Sequence, residues 1–92
     1  MMLTVYSKTA CAQCVQAKNY LKSKNIVFNE VNIEKDQQAH DFIMAQGHRT
    51  VPQIYFNGAL FVEGGWQGLS KMSAEQILEN IAQYNSLING TL

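Results

Sequence analysis

The chain reads MLTVYSKTACAQC over residues 2–14, and this stretch decides the fold. Residues 2–6 are apolar or β-favouring, which is typical of a short strand. No Gly or Pro interrupts residues 12–24, and apolar side chains recur there at helical spacing. The stretch therefore predicts a strand followed by a helix, with Cys11 and Cys14 at the junction.

Hydrophobic periodicity and turn residues predict five further elements along the chain. They are a strand over 26–33, a helix over 36–46, two strands over 53–56 and 59–62, and a last helix that starts after Ser73. Asn57-Gly58 is a strong hairpin signal between the two later strands, and Ser73 opens a capping box. The order β-α-β-α-β-β-α predicts an α/β fold, with a four-stranded mixed sheet flanked by three helices in a single domain over residues 1–92.

Composition and charge exclude several classes of function. Seven Lys+Arg balance seven Asp+Glu, so no basic surplus directs the chain to nucleic acid. No apolar run approaches the roughly 20 residues that span a bilayer, and the first residues lack the pattern of a secretory signal. We therefore expect a small cytoplasmic protein that is a monomer and binds neither nucleic acid nor membrane.

The cysteine pair is the most informative chemical feature. Cys11 lies at the predicted start of the first helix, where free N–H groups and the helix dipole favour a thiolate. Cys14 lies one turn deeper on the same face, at a spacing that permits a disulfide. Cys11 is therefore the candidate nucleophile and Cys14 the candidate resolving thiol. Lys8 is close by, and residues 1–25 contain four lysines and no acid, so we expect a positive local field.

Other interpretations of these residues remain open. A structural zinc ion needs four ligands, and besides the cysteines the chain offers only His40 and His48, which are eight residues apart. We therefore predict no metal site and place both histidines at the surface. An inert buried cysteine pair is a further alternative. For the lysines of the first helix, the alternative is a solvated face formed by Lys18, Lys22 and Lys24.

Four segments of the chain together resemble a glutaredoxin. They are Tyr6-Ser7-Lys8-Thr9-Ala10-Cys11-x-x-Cys14, Arg49-Thr50-Val51-Pro52-Gln53-Ile54, Asn57-Gly58 and Gly64-Gly65, in the family's order and at nearly its spacing. The resemblance implies the thioredoxin fold, thiol–disulfide exchange through Cys11 and Cys14, glutathione as reductant and no tightly bound cofactor. It also implies a cis peptide bond before Pro52.

The resemblance further implies where glutathione binds. The backbone of Val51 pairs with the substrate's backbone like an added strand, and Lys8 and Thr50 lie near the glycine carboxylate. The implied glutathione contacts are Lys8, Gln13, Thr50, Val51, Pro52, Gly65, Trp66 and Gln67. A purely structural role of residues 50–52, as the entry to a strand, is the alternative. The implied partners are glutathione and disulfide-containing proteins, with ribonucleotide reductase as a client.

Departures from the family's pattern bear on the reductant and the class of function. The common Cys-Pro-Tyr-Cys is here Cys11-Ala12-Gln13-Cys14, and this Gln is similar to NrdH-redoxins, which take electrons from thioredoxin reductase. Trp66-Gln67 replaces a small or polar residue and an Asp that hold the γ-glutamyl end, so one charge is missing. Trp66 itself is either a partner-docking surface or part of the core. A module that binds a metal or an iron–sulfur cluster is the alternative from another class.

Overall fold

The computed structural model of the chain describes residues 2–88. Its elements are β1 (Leu3–Ser7), α1 (Ala12–Ser23), β2 (Phe28–Asn32), α2 (Gln37–Ala45), β3 (Gln53–Phe56), β4 (Ala59–Val62), α3 (Gly65–Leu69) and α4 (Ala74–Ile88). No helix among these is long and apolar enough to cross a membrane. The outermost residues of the predicted 1–92 domain lie outside the described part of the chain.

The four strands form one mixed sheet in the order β2-β1-β3-β4. β1 pairs in parallel with β2 and antiparallel with β3, which in turn pairs antiparallel with β4. The hairpin between β3 and β4 turns at Asn57 and Gly58, whose φ angles of 52° and 82° are those that a tight two-residue turn requires. The predicted thioredoxin fold, with its four-stranded mixed sheet, is confirmed.

The main core lies between one face of the sheet and the helices α1, α3 and α4. Leu3 and Val5 of the central strand are fully buried against Ala17 and Leu21 of α1 and against Ile77 of α4. The opposite face of the sheet is covered by α2 through the rings of Tyr6, Phe42 and Tyr55, whose centroids lie 5.3–5.8 Å apart. β1 is therefore buried on both faces, which fixes the position of the loop that follows it.

The structure adds one short helix, α3, to the three that the sequence predicts. Propensity disfavours a helix here, because glycine costs about 1 kcal/mol in a helix interior. Tertiary packing favours it, since Leu69 is fully buried and a Cβ at Gly68 would collide with the carbonyl oxygen of Glu63. The glycines thus allow α3 to pack closely against the end of β4. Because glycine has a low helix propensity, the sequence does not predict this helix.

Candidate dithiol site

Cys11 and Cys14 lie at the start of α1, where β1 and its loop deliver the chain to the helix. Cys11 is the N-cap residue, and its Sγ accepts the backbone N–H of Cys14 at 3.2 Å. The two sulfurs are joined in a disulfide with a Cα–Cα distance of 5.2 Å. Cys11 is half-buried, whereas Cys14 is only 1% exposed. An external disulfide therefore reaches Cys11 first, and Cys14 stands behind it.

The helix end suits a negatively charged sulfur. The first turn of α1 contains no acidic residue, and its orphan N–H groups and dipole favour an anion at the N-cap. A sulfur that already accepts one of these N–H groups gains from the contact as a thiolate, since hydrogen bonds to a charged acceptor are stronger. The geometry supports Cys11 as the attacking group after reduction of the pair.

Residues 50–52 face Cys11 from across the sheet. The Val51-Pro52 peptide bond is cis, as the resemblance implies, and Pro52 is fully buried. Cys11 Sγ lies 3.8 Å from the carbonyl oxygen of Val51. The Gln53 amide donates to the carbonyl oxygen of Thr50 at 2.8 Å and so fixes the loop from within. The backbone of Val51 is thereby held beside the reacting sulfur.

Gly64 and Gly65 bring a second loop against residues 50–52. Gly65 has a φ of 56°, and a Cβ at this position would lie 2.5 Å from the carbonyl oxygen of Pro52. Only glycine permits such an approach, since a Cβ there has both steric and conformational costs. The two segments that the sequence separates are therefore in direct backbone contact next to the cysteine pair.

Three cavities surround the pair, and we name each by its residues. The Lys8–Arg49 cavity, of about 250 Å³, is also bordered by Thr50 and Val51. The Gln13–Gln67 cavity, of about 520 Å³, is also bordered by Thr50 and Glu63. The Lys18–Glu30 cavity, of about 560 Å³, is bordered by both cysteines. Five of the eight predicted glutathione contacts border these cavities, namely Lys8, Gln13, Thr50, Val51 and Gln67.

Trp66 lies apart from these residues. Its ring packs edge-on against Tyr20 of α1 at 5.5 Å between centroids, and it is partly buried against the core. The hydroxyl of Tyr20 in turn donates to the carbonyl oxygen of Met72. Of the two predicted roles of Trp66, the structure favours packing, and its implied contact with glutathione stays a prediction. Packing is favoured because α3 turns Trp66 towards α1, while Gln67 borders the cavity.

A partly exposed polar network near the cysteines was not predicted. The hydroxyl of Ser7, which is fully buried, donates to Glu30 Oε2 at 2.8 Å, and Lys18 Nζ lies 2.7 Å from the same oxygen. The hydrogen bond from Lys18, followed by that from Ser7, holds the pKa of Glu30 below its ordinary value. Lys18 of α1 is therefore paired with Glu30 of β2 rather than merely solvated. The local positive field expected from residues 1–25 is partly neutralised.

The histidines are engaged with other side chains. His48 Nε2 shares a 2.7 Å hydrogen bond with the hydroxyl of Tyr55, and His40 Nδ1 lies 3.4 Å from a carboxylate oxygen of Asp41. Among residues 2–88, no three His, Cys, Asp or Glu side chains come close enough to hold a metal ion. Glu30, Glu34 and Glu63 are acidic residues that sequence analysis missed at the site. The pairing of the strands brings these acidic residues to the site, and the sequence alone does not show the register of that pairing.

The sheet order and a Cys-x-x-Cys pair at a helix N-terminus define a dithiol protein of thioredoxin fold. The glutaredoxin family model matches residues 3–61. This match extends over more than half of the chain and includes the cysteine pair, residues 50–52 and the β3–β4 hairpin. The chain belongs to the glutaredoxin family.

Two relatives match a large part of the chain. The chain is 40% identical over 53 residues to the glutaredoxin-like protein NrdH of Lactococcus lactis. This alignment covers 58% of this chain and 74% of that protein. It is 32% identical over 79 residues to a glutaredoxin-like 8.6 kDa protein of Clostridium pasteurianum, over 85% of this chain and 99% of that one. Both relatives carry glutaredoxin-like names, which agrees with the family assignment.

Solved structures support the same fold. NrdH-redoxin from Escherichia coli matches with a TM-score of 0.62 and 23% identity, over 86% of this chain and 93% of that one. A buckwheat glutaredoxin–glutathione complex matches with a TM-score of 0.68 and 20% identity, over 88% of this chain and 76% of that one. At these identities the likeness concerns the fold alone.

Proposed function

We propose that this chain reduces protein disulfides and glutathione mixed disulfides as a dithiol thiol–disulfide oxidoreductase. The observation that carries the proposal is the asymmetry of the pair. Cys11 caps α1 half-exposed beside the Val51 carbonyl, while Cys14 is buried within disulfide reach of it. One sulfur is placed to attack a substrate, and the other is placed to release it.

The reaction follows from this arrangement. The Cys11 thiolate attacks one sulfur of the substrate disulfide, so a new S–S bond forms, the old one breaks, and the other substrate sulfur leaves as a thiolate. Cys14 then loses its proton and attacks Cys11 Sγ, which expels the second substrate thiolate. The substrate disulfide gains two electrons, and the Cys11–Cys14 pair becomes the disulfide seen in the structure. An external reductant must return two electrons before the next cycle.

Glutathione is the reductant that we propose first. Lys8, Thr50 and Val51 border one cavity beside Cys11, where the family pattern expects the glycine end of glutathione. Gln67 borders the neighbouring cavity, where the γ-glutamyl end is expected, but it carries no charge. We therefore propose glutathione-dependent activity that is weaker than a site with an acidic residue at position 67 would give.

A redoxin of the NrdH type, recycled by thioredoxin reductase, is the second candidate. The 40% identity to the Lactococcus lactis protein and the Gln at position 13 favour it. In either case we propose ribonucleotide reductase as a client and the cytoplasm as the location. A monomer without a tightly bound cofactor is sufficient for the reaction as written.

The test is a comparison of two coupled assays on one glutathionylated peptide. One assay supplies NADPH, glutathione reductase and glutathione, and the other supplies NADPH and thioredoxin reductase. We expect turnover in the first assay. Turnover in the second assay alone would establish the NrdH type and remove the glutathione contacts at Lys8, Thr50 and Gln67. Absence of turnover in both assays, from a colourless and metal-free sample, would overturn the proposed function.

A further inference from the structure

The Lys8–Arg49 cavity combines two kinds of chemistry. Its floor is apolar and consists of Ile33, the fully buried Ile43 and Met44, which is 43% exposed. Its volume of about 250 Å³ exceeds that of one aliphatic side chain. A carboxylate needs only the cationic groups and leaves the exposed part of this floor, above all the side chain of Met44, in contact with water. The floor therefore indicates an occupant that carries an apolar group as well.

The charges around the cavity favour an anion. Lys8 and Arg49 contribute two cations, and the acidic residue beside them is Glu34. Glu34 already accepts the backbone N–H of Thr9 at 3.0 Å, which holds its carboxylate in place. Arginine binds a carboxylate through two parallel N–H groups, so Arg49 adds direction as well as charge. The occupant should therefore present a carboxylate next to its apolar group.

The position of the cavity relates it to the reacting cysteine of a substrate. Thr50 and Val51 form its wall, and the Val51 carbonyl oxygen lies 3.8 Å from Cys11 Sγ. An extended peptide that pairs with Val51 advances about 3.3 Å per residue. Because Val51 both borders the cavity and lies beside Cys11 Sγ, a peptide that runs from Cys11 towards the cavity would place there the residue that follows its cysteine. That one residue would have to carry both an apolar side chain and a carboxylate. A residue with an aliphatic side chain at the C-terminus of a peptide carries both.

We propose that the Lys8–Arg49 cavity selects disulfides whose reacting cysteine is followed directly by an aliphatic C-terminal residue. This inference rests on the proposed function and names a substrate class for the same site. Glutathione places a glycine there, which supplies the carboxylate and leaves the apolar floor empty. A protein tail that ends in cysteine and leucine satisfies both the floor and the cations.

The test uses mixed disulfides of γ-glutamyl-cysteinyl-glycine and γ-glutamyl-cysteinyl-leucine, each as free acid and as C-terminal amide. We expect kcat/KM for the leucine acid to exceed that for the glycine acid by roughly tenfold, as burial of a few methylene groups gives. Amidation should lower both rates, because it removes the charge that Lys8 and Arg49 bind. The protein is the full chain, reduced before each assay.

Matched variants separate the floor from the fold. Met44→Gln makes the floor polar and should bring the leucine-to-glycine ratio close to one. Leu78→Gln is the control, because Leu78 is an equally exposed helical residue of α4, outside the cavity. It should keep the tenfold ratio. Arg49→Gln should reduce the difference between acid and amide, and Lys71→Gln should not.

Each outcome has a definite meaning. A ratio near one in the unaltered chain, or a tenfold ratio that survives Met44→Gln, would overturn the inference while the exchange activity stands. No turnover with any of the four peptides would overturn the proposed function, and the inference with it. Far-ultraviolet circular dichroism and thermal unfolding of Met44→Gln, compared with those of the unaltered chain, check that this variant is folded.

Discussion

The site has two halves that are built in different ways. The thiol half consists of Cys11 and Cys14 at the start of α1. Its geometry is local, because Cys11 is the N-cap residue and Cys14 lies three residues further along the same helix. The loop half consists of residues 50–52 and 64–67, which meet only because Gly65 approaches the Pro52 carbonyl. The thiol half contains the groups that exchange electrons, and the loop half borders the Lys8–Arg49 and Gln13–Gln67 cavities. We infer that changes in the first half remove a step of the exchange itself, either attack or release, whereas changes in the second half alter substrate preference.

The largest expected effect is in the thiol half. Cys11→Ser should abolish exchange with all substrates, because the attacking sulfur is lost. Cys14→Ser should still attack but should accumulate as a mixed disulfide with protein substrates, since no second sulfur resolves it. Mass spectrometry of the two variants after reaction with a disulfide-bonded peptide provides the measurement. An active Cys11→Ser with an inert Cys14→Ser would reverse the two roles.

Contact between the two loops is the next test. Gly65→Ala places a Cβ against the Pro52 carbonyl oxygen at a φ of 56°, and we expect a loss of about 3–4 kcal/mol in the free energy of unfolding. Gly58→Ala is the control, because its φ is also positive but no atom lies within 4 Å of the added Cβ. It should lose about 1–2 kcal/mol. Equal losses in urea denaturation would contradict the close approach.

A change of charge in the loop half should alter preference rather than the reaction itself. Gln67→Asp adds a carboxylate to the Gln13–Gln67 cavity, where the ammonium group of a γ-glutamyl end is expected. Glutathione-dependent kcat/KM should rise roughly three- to tenfold, less than a fully new charged contact gives, because Glu63 already borders the cavity. Gln83→Asp on the exposed side of α4 is the control. An unchanged rate would remove Gln67 from the substrate site.

Lys8 links the halves, because it borders the Lys8–Arg49 cavity and also the cavity that contains Cys11. Lys8→Glu should raise the pH midpoint of Cys11 alkylation by about half a unit to one unit, since a negative charge disfavours the thiolate. The measurement uses the Cys14→Ser background, with Lys71→Glu as the control. If the two charge reversals move the midpoint equally, Lys8 has no special relation to the thiol.

The smallest effect concerns the polar network near the cysteines. The pKa of Glu30 is lowered in the folded chain by hydrogen bonds from Lys18 and Ser7. Its contribution to stability is therefore present above its ordinary value of 4.5 and is lost as the pH falls through the lower folded-state pKa. Because the carboxylate is 40% exposed, we expect about 0.5 kcal/mol or less. Glu30→Gln should flatten the decline of stability below pH 4.5, and Glu79→Gln should not.

Local sequence signals predict the thiol half and the sheet well. The strand, the Cys-x-x-Cys spacing and the uninterrupted helix lie within 23 residues, and Asn57-Gly58 specifies its hairpin by conformation alone. These features need no knowledge of distant contacts. The family resemblance also predicts that residues 50–52 belong to the site. Their motif can be recognised from its position in the sequence, although the sequence does not show its contacts with Cys11.

The rest depends on tertiary contacts that composition does not reveal. α3 contains glycines that argue against a helix, and it places the ring of Trp66 against Tyr20. Glu30 reaches Ser7 because β1 and β2 pair with Val5 opposite Glu30. An alternating pattern suggests the strand but does not give this register. Such positions become predictable once the pairing of the strands is known.

The most direct test of the account is the order in which the two thiols of the reduced chain react with iodoacetamide at neutral pH. Peptide mapping at short times measures alkylation at each cysteine in the unaltered protein. The account predicts that Cys11, half-exposed at the helix N-terminus, is alkylated many-fold faster than the buried Cys14. Equal rates, or faster alkylation of Cys14, would contradict the assignment of nucleophile and resolving thiol.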